Sequence, residues 1–234
     1  FGEAKTTHWR VGVIVAATRG PVRGVLCTIP EPLEWPEQTV KLLTEDVSPG
    51  VRFKHRDLGG VRQLVVSIPK LANRKKAKAL FTYEITRRSI TGPESTEQFV
   101  FPKKVSRADK RWLGNSPYIT TKDREIQKLA KERFRSLEDD GIWKQIEGLY
   151  DLVREKVDYR EGSIKTASRA LRDGYGDCEE LTSLFIAMCR VNKVPARMVW
   201  VPDHCYPEFY LQDTTGKGHW FPCQAAGTRA FGEM

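Results

Sequence analysis

The chain of 234 residues is long enough to bury one large hydrophobic core or two smaller ones, and its 40% hydrophobic and 29% charged residues are an ordinary globular composition. No apolar run of about 18 residues or more is present, so the sequence predicts no membrane-spanning helix. The net charge of +9 is confined to residues 1–110, which hold 20 basic and 11 acidic residues, whereas residues 111–234 hold 19 of each.

The densest basic segment is "NRKKAK", with Arg74, Lys75, Lys76 and Lys78, and it lies between two strand-like segments. A solvated hairpin loop explains this position better than a polyanion site, so we expect no nucleic-acid partner. The chain starts at Phe1 without an initiator methionine, which is typical of a processed or truncated chain and leaves open an exported, periplasmic or secreted protein. The oligomeric state is left open as well.

Residues 8 to about 102 are predicted to form short β-strands. The segments are β-branched or aromatic, partly alternating, and separated by Pro, Gly and Asn turns. They are "HWRVGVIVAA", "VRGVLCTIP", "QTVKLLTE", "VRFKHRD", "VRQLVVSIP" and "KALFTYEITRRS". This pattern predicts an N-terminal antiparallel β-sandwich over residues 1–108, with the domain boundary near 105–112.

The second domain, residues 109–234, is predicted to be α+β. A first helix is expected to start at Thr120, followed by a helix over 142–157, a short helical turn in "TASRALRDGYGD" that Gly174 and Gly176 break, and a helix from Cys178 onward. The segment "PARMVWV" predicts a buried strand, and "HCYPEFYLQDTTGKGHWFPCQ" predicts a hairpin that turns around 214–218. Helices followed by strands are typical of the α+β class.

Cys178 is the candidate nucleophile. It follows the polar, glycine-rich approach "DGYGDC" at the start of a helix, where unpaired N–H groups and the helix dipole favour a thiolate. Cys189, deep in the same helix, fits a buried structural cysteine instead. The sequence therefore predicts a reactive thiol at Cys178 and an inert one at Cys189.

His204 is the candidate base, since it ends an apolar strand, whereas His219 lies beside a Gly-Lys-Gly turn and is expected to face solvent. If the hairpin pairs Gln224 with His204 and Cys223 with Cys205, the Gln224 carbonyl can accept the imidazole N–H and fix its tautomer. Asp203, Asp213 and Glu208 are alternative carboxylates, with Glu208 expected to be a structural hydrogen-bond acceptor.

Four short motifs in order carry a family resemblance: "GDC" with Cys178, "KVPAR" ending at Arg197, "HCYPEFY" with His204 and Glu208, and "WFPCQ" ending at Gln224. With these motifs, residues 110–234 resemble the transglutaminase-like core, a superfamily of papain-type cysteine enzymes. Tyr206 stands where the family usually has Trp, and Gln224 stands where it usually has an acidic third member. The β-rich first half is similar to the small sandwich that often precedes bacterial cores of this type.

The resemblance implies acyl transfer at an amide bond of a peptide or protein, with a Cys178–His204–Gln224 triad and no cofactor or metal. Substrate contacts are predicted at Tyr175, Tyr206 and Trp220. Hydrolysis, as in a cysteine peptidase or amidase, is favoured over amine cross-linking because no Asp-rich loop resembles the calcium sites of animal cross-linking enzymes. A catalytically weakened or inactive binding module is the alternative from another class.

Two further alternatives concern the hairpin cysteines and histidines. His204, Cys205, His219 and Cys223 are suitable zinc donors, although their spacing is not that of a known zinc motif. Cys205 and Cys223 are instead candidates for a cross-strand disulfide, which would imply an oxidising compartment.

Overall fold

The computed structural model describes residues 1–234 and divides into two compact units, Phe1–Ser89 and Ile90–Met234. The predicted division was at 108/109, whereas in the structure residues 90–108 belong to the second unit. The reason is strand pairing that the sequence does not reveal, since Val100 pairs with Gln212 and Ile90 exchanges backbone hydrogen bonds with Met234. None of the helices has the length and apolar character that a membrane span requires.

The first unit is an antiparallel β-sandwich of six strands, as predicted. The strands are β1 Ala4–Ala16, β2 Val22–Glu31, β3 Gln38–Val47, β4 Arg52–Asp57, β5 Arg62–Leu71 and β6 Lys76–Arg88. They form two three-stranded sheets with orders β1-β6-β3 and β2-β5-β4. Alternate residues of β6 are buried, and they share one core with β5 from the other sheet. The basic run lies at the β5–β6 turn, as expected for a hairpin loop.

The second unit consists of four α-helices and a five-stranded antiparallel sheet, together with a separate two-stranded pair. The helices are α1 Arg124–Arg135, α2 Gly141–Lys156, α3 Ala167–Asp173 and α4 Cys178–Val191. The strands are β7 Phe99–Val100, β8 Asp158–Tyr159, β9 Tyr175–Gly176, β10 Ala196–Val201, β11 His204–Asp213, β12 Gly218–Gln224 and β13 Ala230–Phe231. The sheet has the order β10-β11-β12-β13, with β7 also pairing with β11, while β8 and β9 form a separate parallel pair. This is the predicted α+β class.

Helix α4 is the central element of the second core, because nearly all of its residues are buried. Its apolar side chains pack against the sheet face that carries Phe209 and Leu211. Arg190 is buried near the end of the helix, where its guanidinium donates to the backbone carbonyls of Ala196 and Gly114. The helix is thereby held between β10 and the segment before α1.

Helix α1 begins later than the sequence analysis expected. Asp123, not Thr120, is the N-cap residue, since its carboxylate accepts hydrogen bonds from the N–H groups of Glu125 and Ile126. The Thr120 hydroxyl instead accepts the N–H of Ser168 at 3.1 Å and so ties this segment to α3.

The register of the β11–β12 hairpin differs from the expected one. The expected pairing would place Glu208 opposite Trp220, whereas the structure pairs Glu208 with Pro222. The turn sets this shift of two residues, because the Asp213 carboxylate accepts the N–H groups of Thr215 and Lys217. Side chains alternate between the faces of a strand with period two, so Gln224 still lies on the same face as His204.

Candidate active site

Cys178 is the first residue of α4, and the turn before it is tightly built. Asp177 caps the helix, and Glu180 completes a capping box by accepting the Asp177 N–H at 3.0 Å. Glu180 is buried, and it also accepts the Lys165 N–H at 2.8 Å. A side chain at Gly176 would place its Cβ 2.6 Å from the Glu180 Cβ, so this position requires glycine. The predicted start of the cysteine helix is confirmed.

The sulfur of Cys178 is half-buried between its own helix and strand β11. Its thiol donates to the Glu179 carboxylate at 3.1 Å. On the other side it is within hydrogen-bonding reach of the Cys205 backbone and of the Cys205 thiol. Cys205 directly follows His204 in β11, so the packing of α4 on the sheet brings the candidate nucleophile to the start of the strand that carries the candidate base.

The electrostatics around Cys178 differ from the sequence-based expectation. Burial, followed by the hydrogen bond from the thiol to Glu179, raises the pKa of Cys178 above its ordinary value. The expected lowering by the helix N-terminus is therefore not the dominant effect. Asp177, Glu179 and Glu180 place three carboxylates around the first turn, and their negative charge opposes the positive end of the helix dipole. In this arrangement the thiol form is favoured at neutral pH.

His204 and Gln224 are joined by a direct hydrogen bond. The distance from His204 Nε2 to Gln224 Oε1 is 2.9 Å, which is the contact that the sequence analysis expected from a different register. The Gln224 backbone is itself fixed, since its carbonyl accepts the Tyr150 hydroxyl at 2.8 Å and the Arg154 guanidinium at 3.3 Å. With the Nε2 hydrogen given to the amide oxygen, the Nδ1 atom of His204 is left as the basic nitrogen.

Two of the three predicted triad residues, His204 and Gln224, are hydrogen-bonded to each other, and Cys178 bonds to neither of them. The His204 imidazole bonds to Gln224, and the hydrogen bonds of the Cys178 sulfur are with Glu179 and Cys205. The His204 imidazole is not among the hydrogen-bond partners of the sulfur. The pairing of thiol with imidazole accordingly stays a prediction.

Three other motif residues form a cluster on the His204 side of the sheet. Arg197 Nε lies 2.7 Å from Glu208 Oε2, and the Arg197 guanidinium stacks over the Trp220 ring at 4.1 Å. Tyr210 also contacts Trp220, with ring centroids 5.3 Å apart. Glu208 is therefore occupied as the structural acceptor that the sequence analysis expected.

The three predicted substrate-contact residues, Tyr175, Tyr206 and Trp220, differ in their surroundings. Tyr175 lines an open cavity of about 540 Å³ together with charged residues of the 160–165 loop, and Arg160 and Lys165 lie over its ring. Tyr206 is buried, and Trp220 is packed between Arg197 and Tyr210. Tyr175 thus borders a cavity, and all three roles remain predictions.

A second, smaller pocket was missed by the sequence analysis. It has a volume of about 110 Å³ and an almost wholly apolar lining, and it borders Glu179, the residue that follows the candidate nucleophile Cys178. Three exposed apolar side chains lie around it: Trp200 is 63% exposed, Ile164 52% and Tyr118 45%. The segment "ARMVWV" predicts a buried strand, and only the edge position of β10 reveals that Trp200 points to solvent.

The structure contains neither the disulfide nor the zinc-donor group predicted for the β11–β12 hairpin. All five cysteines are free, and Cys223 lies fully buried near Cys189 rather than bonded to Cys205. His219 is half-buried and bonds to Asp213 at 2.8 Å, so its expected exposure is wrong. The four proposed zinc donors are not gathered, since the one group of potential ligands that comes together is Cys178, Glu179 and Cys205.

Comparison with known proteins relates one segment of the chain to a known family. Residues 127–225 match the family model described as the transglutaminase-like superfamily. The matched segment, less than half of the chain, is similar to a transglutaminase-like core. The matched segment contains Cys178, His204 and Gln224, although a family match gives none of them a tested role. No curated protein matches the chain.

Three solved structures align with the chain, and the first of them has a TM-score that shows a shared fold. A candidate cysteine protease from Cytophaga hutchinsonii aligns with a TM-score of 0.66 and 18% identity over 95% of this chain and 78% of its own. A candidate protease from Parabacteroides distasonis has a TM-score of 0.37 and 13% identity over 94% and 43%. The periplasmic domain of TgpA from Pseudomonas aeruginosa, bound to ethylmercury, has a TM-score of 0.46 and 12% identity over 96% and 76%. The family match supports a cysteine-type enzyme, whereas the likeness to the first of these structures, at 18% identity, shows the fold alone.

A substitution at Glu179 tests the electrostatics of the thiol. In Glu179→Gln the negative charge next to the sulfur is removed, so we expect the pKa of Cys178 to fall and iodoacetamide alkylation at pH 7 to be about three- to tenfold faster. The rate is measured by mass spectrometry of the Cys178 peptide between pH 6 and 10. Glu132→Gln, an exposed change on α1, is the control and should match the wild type. An alkylation profile unchanged in Glu179→Gln would contradict this account.

Proposed function

We propose that the protein hydrolyses amide bonds of peptides or proteins by an acyl-transfer mechanism with Cys178 as nucleophile, His204 as acid and base, and Gln224 as the residue that orients the imidazole. The carrying observation is the 2.9 Å bond between His204 and Gln224, next to the strand residue that contacts the Cys178 sulfur. A glutamine in this position supports the tautomer in which Nδ1 is basic, as a neutral amide does in other cysteine enzymes.

The reaction begins with transfer of the thiol proton to the imidazole. The thiolate forms a bond to the amide carbonyl carbon, and the imidazolium gives its proton to the departing amine as the C–N bond breaks. Water, deprotonated by the neutral imidazole, then attacks the thioester, which releases the carboxylic acid and returns the thiol. The backbone N–H of Cys178 is a candidate donor to the oxyanion, because the first N–H groups of a helix have no acceptor within the helix.

Because the pKa of the Cys178 thiol is raised, the proposed reaction requires the His204 imidazole to remove the thiol proton. In the resting arrangement the proton is shared with Glu179, so an unaided thiolate is scarce at neutral pH. In the proposed reaction the His204 imidazole comes within reach of the thiol when the substrate binds. The Cys178 thiolate then forms only in the presence of substrate. Apo geometries of catalytic hydrogen bonds are often looser than those of the substrate complex.

Product analysis tests hydrolysis against amine transfer. The protein is incubated with a peptide library containing glutamine, with and without a primary amine, and the products are weighed by mass spectrometry. We expect peptides whose mass shows cleavage or deamidation by water, in both conditions. Peptides that carry the added amine would show that the protein catalyses cross-linking rather than hydrolysis. If no peptide changes in mass, the binding-module alternative is favoured.

The binding-module alternative has its own discriminating measurement. If the fold has lost catalysis, Cys178 should alkylate with the same pH profile in wild type and in a His204→Ala variant. If the imidazole activates the thiol, alkylation at pH 7 should be slower in the variant. This comparison needs no knowledge of the substrate.

The small apolar pocket beside Glu179 predicts a substrate preference. Since its lining is apolar and its volume of about 110 Å³ is that of one aliphatic side chain, we expect peptides with Leu or Ile next to the reacting amide to be favoured. In Trp200→Ala, kcat/KM for such peptides should fall about tenfold, and kcat/KM for alanine-containing peptides should change little. Trp35→Ala, which changes a tryptophan of the first unit, is the control. An equal fall for both peptide classes would contradict a side-chain pocket.

A further inference from the structure

The contact between α4 and β11 brings together three potential metal ligands. One ligand atom each from Cys178, Glu179 and Cys205 all lie within 4.8 Å of one another. Cys178 and Glu179 are half-buried and Cys205 is almost fully buried, so the group has a solvent side and a closed side. Cys205 lies outside the proposed Cys178–His204–Gln224 triad, and the proposed reaction gives it no role.

The chemistry of these donors favours a thiophilic cation. Thiolates are soft ligands that bind Zn²⁺ strongly, and a carboxylate is an accepted third ligand. In a tetrahedral zinc site with Zn–S bonds of about 2.3 Å, two sulfur ligands lie about 3.8 Å apart. The observed separations therefore require movements of about 1 Å or less to enclose an ion. The other carboxylates of the first turn, Asp177 and Glu180, add negative charge that also favours a cation.

A second observation concerns a polar group at the buried side of the site. The Thr182 side chain is fully buried, and its hydroxyl has no hydrogen-bond partner in the rest of the chain. It lies near the Cys205 sulfur. A buried hydroxyl beside a ligand atom is the kind of outer-shell donor that accompanies a metal-bound sulfur.

We propose that Cys178 Sγ, Cys205 Sγ and Glu179 Oε2 form a binding site for Zn²⁺ or a similar thiophilic divalent cation. Each thiol releases its proton to solvent as its sulfur binds the ion, and water takes the fourth tetrahedral position. Because the ion occupies the sulfur of Cys178, the bound form is unable to react at that thiol. The site is thus a metal-dependent block of the nucleophile.

The proposal is tested with zinc alone. Zn²⁺ binding is measured by isothermal titration calorimetry, and protection of Cys178 from iodoacetamide is measured by mass spectrometry, each with and without EDTA. We expect one ion per chain, at least tenfold protection of Cys178, and reversal by EDTA. Cys205→Ala and Glu179→Gln should each weaken zinc affinity by tenfold or more, whereas Cys189→Ala, a buried cysteine of the same helix outside the group, should bind as the wild type does.

The outcomes separate this proposal from the proposed function. Equal zinc affinity and equal protection in wild type and Cys205→Ala would overturn the site, and so would protection that EDTA does not reverse. Circular dichroism of Cys205→Ala checks that the variant is folded, and Glu179→Gln provides a second test if it is not. Both readouts are independent of substrate turnover. An active enzyme without zinc affinity would contradict only the zinc site, and an inactive protein with zinc affinity would contradict only the proposed function.

Discussion

Replacing Cys178 with alanine is expected to abolish amide hydrolysis, with a loss of at least about a thousandfold in kcat/KM. The physical reason is that no other thiol can replace it: Cys189 and Cys223 are fully buried, and burial raises the pKa of Cys205. The measurement is turnover of the best peptide from the product screen, together with detection of the thioester intermediate by acid quenching and mass spectrometry.

Two further variants make the Cys178 result specific. Cys27→Ala removes a half-buried cysteine of the first unit and should retain full activity. Cys178→Ser keeps the size and hydrogen bonding of the side chain but has a far weaker nucleophile, so it should be folded and nearly inactive. Retention of more than about a tenth of the activity in either Cys178 variant would remove this residue from the mechanism.

Replacing His204 with alanine is expected to lower kcat by about a hundred- to ten-thousandfold, the range typical of a lost general acid and base. The effect should be large here because the Cys178 thiol has a raised pKa and depends on proton transfer to a base. His219→Ala is the matched control, since His219 is a half-buried histidine of the same hairpin that bonds to Asp213. Similar losses in the two variants would indicate damage to the hairpin rather than loss of a base.

Variants of Gln224 separate positioning from a structural role. In Gln224→Glu a carboxylate would replace the amide oxygen that lies 2.9 Å from His204, so the protonated imidazole is stabilised by a negative charge. Proton transfer from the thiol becomes easier, and we expect faster Cys178 alkylation at pH 6–7. In Gln224→Ala the ring loses its anchor, and alkylation should be slower. A merely structural role for Gln224 would give equal pH profiles in the folded variants.

Some features of the site could be predicted because they depend on local chain geometry. The start of α4 follows from glycines and an acidic cap before an apolar helical pattern, and that pattern is set by the 3.6-residue repeat. The contact between His204 and Gln224 was expected although the register was wrong by two residues. A strand repeats its faces every two residues, so this error left both side chains on the same face.

Other features could not be predicted because they depend on how distant elements pack. The unit boundary differs because Phe99–Val100 pairs with a strand more than a hundred residues later. His219 was expected in solvent, yet Asp213 and the rings of Phe99 and Phe221 hold it half-buried. The acidic run in "GDCEE" was a signal for the charge around Cys178, but its effect on the thiol depends on burial that no local pattern records.

The sequence by itself determined the elements of this protein, the order of its motifs and the face on which each motif side chain lies. These properties follow from backbone periods and capping chemistry, which act within a few residues. Only the tertiary structure decided that Cys205 meets Cys178, that Glu179 turns to the sulfur, and that Trp200 stands exposed beside a small pocket. Such contacts are set by the packing of α4 and β10 on β11, where the position of each side chain depends on the whole core.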